Sequence, residues 1–224
     1  MTFYPQCRIT LKHKHRLHDR LNNLIIAVEA LTVAGNFLRG EPAKWTAPTV
    51  AALDCVQLPI SVKVPVWGPL EAALNDQYPD AIHIDFLEIS PPIPEYSVWA
   101  AGLQKRHLTF GLIKVAINMI IPIFVEFFES YKQFLFDNMK RPENWPMIWR
   151  FGWAVRNAMS HDGCIYFENN KTVPVSWYSL TYSHANNGHR ILGVKNADLG
   201  VGDIVVLMFE MNDELDRVNC PLII

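Results

Sequence analysis

Hydrophobic and polar positions along the chain follow two kinds of pattern. Apolar residues recur at three- and four-residue spacings over about 17–38, 96–140, 145–161 and 204–215, which predicts four amphipathic helices. The segment 41–96 is different, because nine of the fifteen prolines fall within it. Proline breaks helices and is confined to the edges and ends of strands. This segment is therefore predicted as an insertion of extended chain with short strands, best at 62–66 and 82–89.

Beyond Gly163 the pattern changes from helical to strand-like. The β-branched and aromatic residues that strands prefer cluster at 164–167, 173–182 and 190–192. This predicts an antiparallel β-meander over 164–194, followed by the closing helix. The expected fold class is mainly α, a helical bundle forming one domain over 1–224.

The apolar run 108–128 has the length of a membrane span. Lys114, Asn118 and Glu126 interrupt it at spacings of four and eight residues, so they share one helix face. A polar stripe is costly in a bilayer and ordinary in a bundle, so no membrane association is expected. Pro122 lies on the same stripe and predicts a kink or an interruption. The stripe is either solvated or internally paired, which is favoured, or it faces the candidate site at the end of the third helix.

Composition narrows the function classes. Half of the 224 residues are apolar, and 20 basic against 22 acidic residues give a formal net charge of −2. That balance argues against a broad electrostatic nucleic-acid binder, although it leaves room for a pocket that holds one or two phosphates. The four cysteines are scattered without a CxxC pair, so neither disulfides nor structural zinc are expected. The N-terminal residues lack the apolar core of a signal peptide, and a cytoplasmic location is expected.

A basic, histidine-rich run over 12–18 precedes the first helix. His15 and His18 lie three residues apart and could share a metal ion, but a solvated helix start is the favoured interpretation, since such tracts are weak evidence alone. Dinucleotide, Walker, GxSxG and HExxH motifs are absent from the sequence. We therefore expect no metal and no cofactor.

The side chains with the clearest chemistry are Arg156, Asn157 and His161, near the end of the tryptophan-rich third helix. Asn157 and His161 are four residues apart and lie on one face. Arg156 and His161 are five apart, roughly 140° around an ideal helix, so they converge only if the last turn unwinds. Gly163 permits such an exit, because glycine takes the left-handed C′ conformation readily. A guanidinium can hold a phosphate, and an imidazole can move a proton near neutral pH.

The run 156–161, RNAMSH, resembles the nuclease signature of the HEPN superfamily, in which an arginine is followed after four to six residues by a histidine. The residue after the arginine is often polar, as Asn157 is here. Arg8 with His13 or His15 also satisfies the spacing, so the motif needs its context. That context is a tryptophan-rich helix, a glycine stop and then a strand. The resemblance continues into 175–177 and the last helix, and so covers roughly the C-terminal half.

The resemblance implies a HEPN-like bundle with metal-independent endoribonuclease activity, in which a ribose 2′-OH attacks the adjacent phosphate. Arg156 would stabilise the phosphorane, His161 would transfer a proton, and Asn157 would orient one of them. The residues that would add contacts to the RNA substrate are Lys114, Asn118, Glu126 and Ser160. Family members pair two such helices across a homodimer. A toxin or defence effector, with an antitoxin as partner, is the implied role.

Two other interpretations stay open at this point. The chain could be a non-catalytic HEPN module that binds RNA, a nucleotide or a protein, because the same Arg156 and His161 would serve binding. Alternatively, Arg156 forms a salt bridge, His161 caps a helix, and the chain is a structural protein. We rank the nuclease first, the binding module second and the structural protein third.

Overall fold

A computed structural model describes residues 7–38, 50–58, 60–65, 80–88, 107–168, 170, 172–193 and 197–222. Within these ranges the protein is a mixed α/β structure that is predominantly helical, with two small antiparallel sheets. The elements in chain order are β1 (Cys7–Lys12), α1 (His18–Leu38), β2 (Val50–Asp54), β3 (Ile60–Pro65), β4 (Ala81–Glu88), α2 (His107–Met139), α3 (Met147–Ser160), β5 (Val175–Trp177), β6 (Leu180–Tyr182) and α4 (Val201–Arg217).

The helix α2 lies at the centre of the helical part and contacts α1, α3 and α4. Its fully buried residues recur at helical spacing: Ile120, Phe124, Phe127, Phe128, Tyr131 and Leu135. The helix runs through Pro122 without the interruption that we considered. Among the described residues, no helix combines the length and apolar content needed to cross a membrane.

The helix predictions over 17–38, 145–161 and 204–215 agree with α1, α3 and α4 to within a few residues. The prediction over 96–140 agrees with α2 from His107 onward, and its first part lies outside the described residues. Helical periodicity was sufficient here because, wherever side-chain burial is described, each of these helices buries an apolar face.

The N-terminal sheet contains β1 to β4 in the order β1-β4-β3-β2, and every neighbouring pair is antiparallel. The strand predictions at 62–66 and 82–89 correspond to β3 and β4, whereas β1 and β2 were not predicted. Phe86 on β4 is buried and meets Phe209 of α4 edge to face, with ring centroids 5.4 Å apart. The described part of the 41–96 segment thus supplies three strands of a sheet that packs on the helices.

A buried carboxylate ties this sheet to α4. Asp203, in the first turn of α4, accepts backbone N–H groups from Val56 at 2.6 Å, Gln57 at 3.3 Å and Gly200 at 2.8 Å. The side chain is fully buried, and burial raises its pKa to about 6 although the N–H donors act in the opposite direction. The loop between β2 and β3 is thereby held at the start of α4.

The predicted meander over 164–194 is replaced by one short hairpin of β5 and β6. The segments around Cys164 and Arg190 do pair, since Ile165 N–H donates to the His189 carbonyl and Ile191 N–H to the Gly163 carbonyl, each at 2.8 Å. The pairing stops at one isolated antiparallel bridge and does not extend into a strand. The reason is a side chain: Asn187 accepts from the N–H of Phe167 at 2.8 Å and donates to its carbonyl at 2.9 Å. Asn187 therefore occupies the backbone groups that a longer ladder would need.

Candidate functional site

The site residues stand on α3, which packs antiparallel on α2 through aromatic side chains. Phe136 meets Trp145 with ring centroids 4.8 Å apart, and Phe128 meets Trp149 at 5.5 Å. Trp149 is fully buried and its indole N–H donates to the carbonyl of Met211 on α4 at 3.1 Å. These contacts fix α3 along its length, so the side chains at its exit start from a rigid base.

The exit of α3 is a Schellman-type turn. The N–H of Gly163 donates to the carbonyl of Ala158 at 2.8 Å, and His161 is the C-cap residue, outside helical geometry. The left-handed C′ residue is Asp162, with φ of 53°, and not the glycine that we predicted there. Gly163 follows with φ of 76°, and a Cβ on it would lie 2.4 Å from the Leu192 carbonyl oxygen.

Arg156 is anchored to α2 through one of its nitrogens. Its Nε donates to Glu129 Oε1 at 2.7 Å, and Glu129 Oε2 is 3.2 Å from Lys132 Nζ. Arg156 Nη1 is 3.5 Å from Ser160 Oγ, one turn further along α3. The Arg156 side chain remains 30% exposed. The guanidinium is therefore oriented by the protein and still accessible to a ligand.

His161 is exposed and stacks on Tyr166, with ring centroids 4.2 Å apart and planes 28° apart. Stacking uses one face of the imidazole and leaves its two nitrogens, which lie in the ring plane, for hydrogen bonding. Tyr166 is exposed as well. The exit of α3 thus presents an oriented imidazole on the surface, as a proton-transfer group requires.

A second guanidinium lies at the same exit. Arg190 Nη2 is 2.9 Å from Asp162 Oδ2, and its Nη1 donates to the Asp162 carbonyl at 2.8 Å. Both side chains are exposed. Arg190 therefore fixes the backbone immediately after His161 and adds a cation near it.

The predicted site residues do not all come together. Arg156 and Ser160 are in contact, and Asn157 is half-buried beside them. Glu126 pairs with Arg20 at 3.2 Å rather than with Arg156. Lys114 and Asn118, both exposed, precede Glu129 by about 22 and 16 Å along α2 at 1.5 Å per residue. At these separations neither side chain reaches the guanidinium of Arg156.

Sequence reasoning missed Glu129, Lys132 and Tyr166. Glu129 and Lys132 carry a weak signal, because opposite charges three residues apart on a helix commonly pair. Tyr166 carries none, since its contact with His161 depends on the chain reversal at Gly163.

The histidine-rich run at the start of α1 brings together a different set from His15 and His18, the pair considered as the less favoured alternative. Within the described ranges, His13, His18 and Asp19 place their ligand atoms within 4.8 Å of one another. The His15 side chain makes a local hydrogen bond instead, in which its Nδ1 accepts the N–H of Leu17 at 3.1 Å.

Comparison of the chain with models of protein families, with curated proteins and with solved structures finds no match. Fold and site together define a predominantly helical α/β protein in which an exposed histidine follows an anchored arginine at a helix exit. The function has to be argued from the chemistry of those side chains.

Proposed function

We propose that the chain is a metal-independent endoribonuclease of HEPN type, with Arg156 and His161 as its catalytic pair. The observation that carries the proposal is the exit of α3. There an arginine anchored by Glu129 at 2.7 Å and an exposed histidine outside the helix occupy the spacing of the HEPN signature. The HEPN-like bundle, with α2 against α3, is part of the same proposal.

In the proposed reaction the ribose 2′-OH attacks the adjacent phosphorus while the bond from phosphorus to the 5′-oxygen breaks. One proton leaves the 2′-oxygen and another reaches the 5′-oxygen, so the products are a 2′,3′-cyclic phosphate and a 5′-hydroxyl. Arg156 stabilises the phosphorane. Its ion pair uses Nε, and Nη1 makes only a 3.5 Å contact with Ser160 Oγ. Each terminal nitrogen carries two N–H groups, so both keep a donor for phosphate oxygens in a fork.

Two protons move in this reaction, and each chain supplies one His161. A C2 homodimer that pairs the exits of two α3 helices would place two imidazoles in one pocket, one as acid and one as base. Asn157 and Ser160, which lie beside Arg156 on α3, would hold the phosphate or the second imidazole. A cytoplasmic toxin or defence effector, controlled by an antitoxin, is the setting that this activity implies.

The test is cleavage of single-stranded RNA by the purified chain in EDTA, with the ends of the products identified by mass spectrometry. We expect 2′,3′-cyclic phosphates and no cleavage of DNA, which lacks the nucleophilic 2′-OH. His161→Ala should lower the rate on the order of 10²-fold or more. Arg156→Ala should lower it more than Arg156→Lys, which keeps the charge without the fork.

Matched controls come from the same surface. Arg150, on α3, donates to the carbonyls of Val173 and Pro174, and Arg150→Ala should leave the rate within a few-fold of wild type. His184→Ala removes another exposed histidine and should do the same. Cleavage that requires Mg²⁺, or that survives His161→Ala, would contradict the proposal.

A second candidate is a non-catalytic module that binds RNA, a nucleotide or a protein. The stack of His161 on Tyr166 favours it, since exposed aromatic faces are the platforms on which bases stack. In that case RNA should bind in fluorescence anisotropy, Tyr166→Ala should weaken the binding, and the RNA should stay intact.

A further inference from the structure

The turn between β1 and α1 brings two imidazoles together. The N–H of His15 donates to the Lys12 carbonyl at 2.8 Å, and the N–H of His18 donates to the His15 carbonyl at 2.9 Å. These two consecutive turns set the His13 and His18 rings edge to face, with centroids 5.7 Å apart. The N–H of His13 also donates to the Asp80 carbonyl at 2.9 Å, which anchors the turn beside the start of β4.

Asp19 completes the group. The ligand atoms of His13, His18 and Asp19 all lie within 4.8 Å of one another, and His18 Nδ1 is 2.9 Å from Asp19 Oδ1. Donor atoms around a tetrahedral zinc ion are about 3.4 Å apart, given metal–ligand bonds of about 2.0–2.1 Å. The separations between the donor atoms therefore have to shorten by at most about 1.4 Å.

The burial of the three side chains suits that adjustment. His18 is fully buried and gives a fixed ligand. His13 is exposed and the Asp19 side chain is 63% exposed, so both move toward a shared ion through solvent, exchanging their present contacts for the metal.

We propose that His13, His18 and Asp19 bind one divalent transition-metal ion, with zinc the preferred occupant and water in the fourth position. Two imidazoles and one carboxylate are the donors that zinc takes, whereas Mg²⁺ and Ca²⁺ select oxygen ligands. This proposal departs from the sequence-based expectation of no metal, and it does not depend on the nuclease.

Two nearby arginines do not oppose a cation at this place. Arg16 pairs with Asp216, and Arg20 pairs with Glu126 at 3.2 Å. Their positive charges are thus offset by carboxylates, while Asp19 offers a negative charge to the metal ion itself.

Such an ion would act as a clip. His13 is bonded to Asp80 beside β4, and His18 with Asp19 forms the first turn of α1. A metal that joins them links the end of the N-terminal sheet to the helical part. It binds the folded chain and should therefore raise the melting temperature without entering the chemistry at α3.

The experiment uses the full chain, stripped with EDTA and dialysed, and titrated with ZnCl₂ by isothermal calorimetry. We expect one ion per chain and a higher melting temperature with zinc. His13→Ala and Asp19→Asn should each weaken zinc binding by about 10- to 100-fold or more. Because both residues also contact His18, each variant is compared with its own metal-free form, and zinc should raise the melting temperature less in the variants than in the wild type.

His184→Ala is the matched control, because it removes an exposed histidine away from the cluster, and it should leave the affinity unchanged. Binding that His184→Ala weakens as much as His13→Ala would overturn the proposal. So would unchanged zinc affinity in Asp19→Asn, equal affinity for Mg²⁺, or no binding of zinc at all. RNA cleavage in EDTA is scored separately, so the two proposals fail or stand independently.

Discussion

The two ends of α4 and the exit of α3 use the same kinds of charged side chain in opposite ways. At the start of α4, the fully buried carboxylate of Asp203 accepts backbone N–H groups from three residues. At its end, Arg16 is only 6% exposed and binds Asp216 and the carbonyl of Cys220. Both ends are closed by buried charges that hold one chain segment to another.

The exit of α3 is open by comparison. Arg156 has one carboxylate partner, Glu129, and both side chains remain about one-third exposed. Buried charged groups whose hydrogen bonds are all made within the protein stabilise the fold. A guanidinium bound to the protein through one nitrogen keeps N–H groups on its other nitrogens for a ligand. On this basis Asp203 and Arg16 are structural and Arg156 is available for a ligand. The free energy of unfolding of their variants measures the difference.

The largest effect is expected for Asp203. Its folded-state pKa of about 6 exceeds the value of 3.8 for a free carboxyl, so between these pH values the folded chain binds the proton more strongly. The free energy of unfolding should therefore fall as pH rises from about 4 to about 6, by up to about 3 kcal/mol.

Urea unfolding at intervals across that pH range measures the slope, and Asp203→Asn should remove this contribution. Glu210 and Asp213 also have raised pKa values because of burial, so the informative quantity is wild type minus variant. An equal slope in both proteins would show that Asp203 titrates normally.

Arg16 comes next. Arg16→Met should lower the free energy of unfolding by about 2–3 kcal/mol, because the Cys220 carbonyl loses its donor and the Tyr131 ring loses the guanidinium 5.7 Å above it. Arg156→Met should cost less than about 1 kcal/mol, as expected for a partly exposed pair. Urea unfolding at neutral pH measures both. Equal losses would make Arg156 a structural residue.

Elements defined by local contacts could be predicted from the sequence, whereas elements defined by contacts between distant segments could not. Helices α1, α3 and α4 followed from local periodicity. The strand β1 could not be found that way, because its partner is β4, with Cys7 opposite Phe86, and the pairing depends on tertiary structure. The prolines of the 41–96 segment also concealed strands that use them at their ends, as β3 does with Pro65.

At the site, the motif spacing predicts Arg156 and His161, and the polar stripe on α2 predicts Glu126, whereas the carboxylate that contacts Arg156 is Glu129. Glu126 and Glu129 are separated by about 60° around the helix axis at 100° per residue. Only the packed rotation of α2 decides which of them meets Arg156 and which meets Arg20.

A smaller loss of stability is expected from a substitution at Gly163, at the exit of α3. Gly188, which also has a positive φ, is the comparison. Gly163→Ala should cost about 2 kcal/mol, because the left-handed backbone is strained and the Cβ would meet the Leu192 carbonyl oxygen at 2.4 Å. Gly188→Ala should cost only about 1 kcal/mol, since nothing lies within 4 Å of its Cβ. Thermal unfolding compares the two. Equal costs would mean that the exit of α3 yields to the added methyl group.

A substitution at Glu129 is expected to have the smallest effect on stability and a specific effect on RNA cleavage. Glu129→Gln keeps the shape of the side chain and removes the charge that orients Arg156 at 2.7 Å. The free energy of unfolding should change by less than about 1 kcal/mol, because the pair is partly exposed. If Arg156 binds the scissile phosphate, RNA cleavage should fall by roughly 10-fold through kcat, since a guanidinium without a fixed orientation is less well aligned with the phosphorane.

Glu126→Gln is the matched control one turn earlier on α2. It breaks the pair with Arg20, so it should cost a similar amount of stability and leave cleavage unchanged. Equal losses of cleavage in the two variants would assign the effect to the packing of α2 and not to the orientation of Arg156.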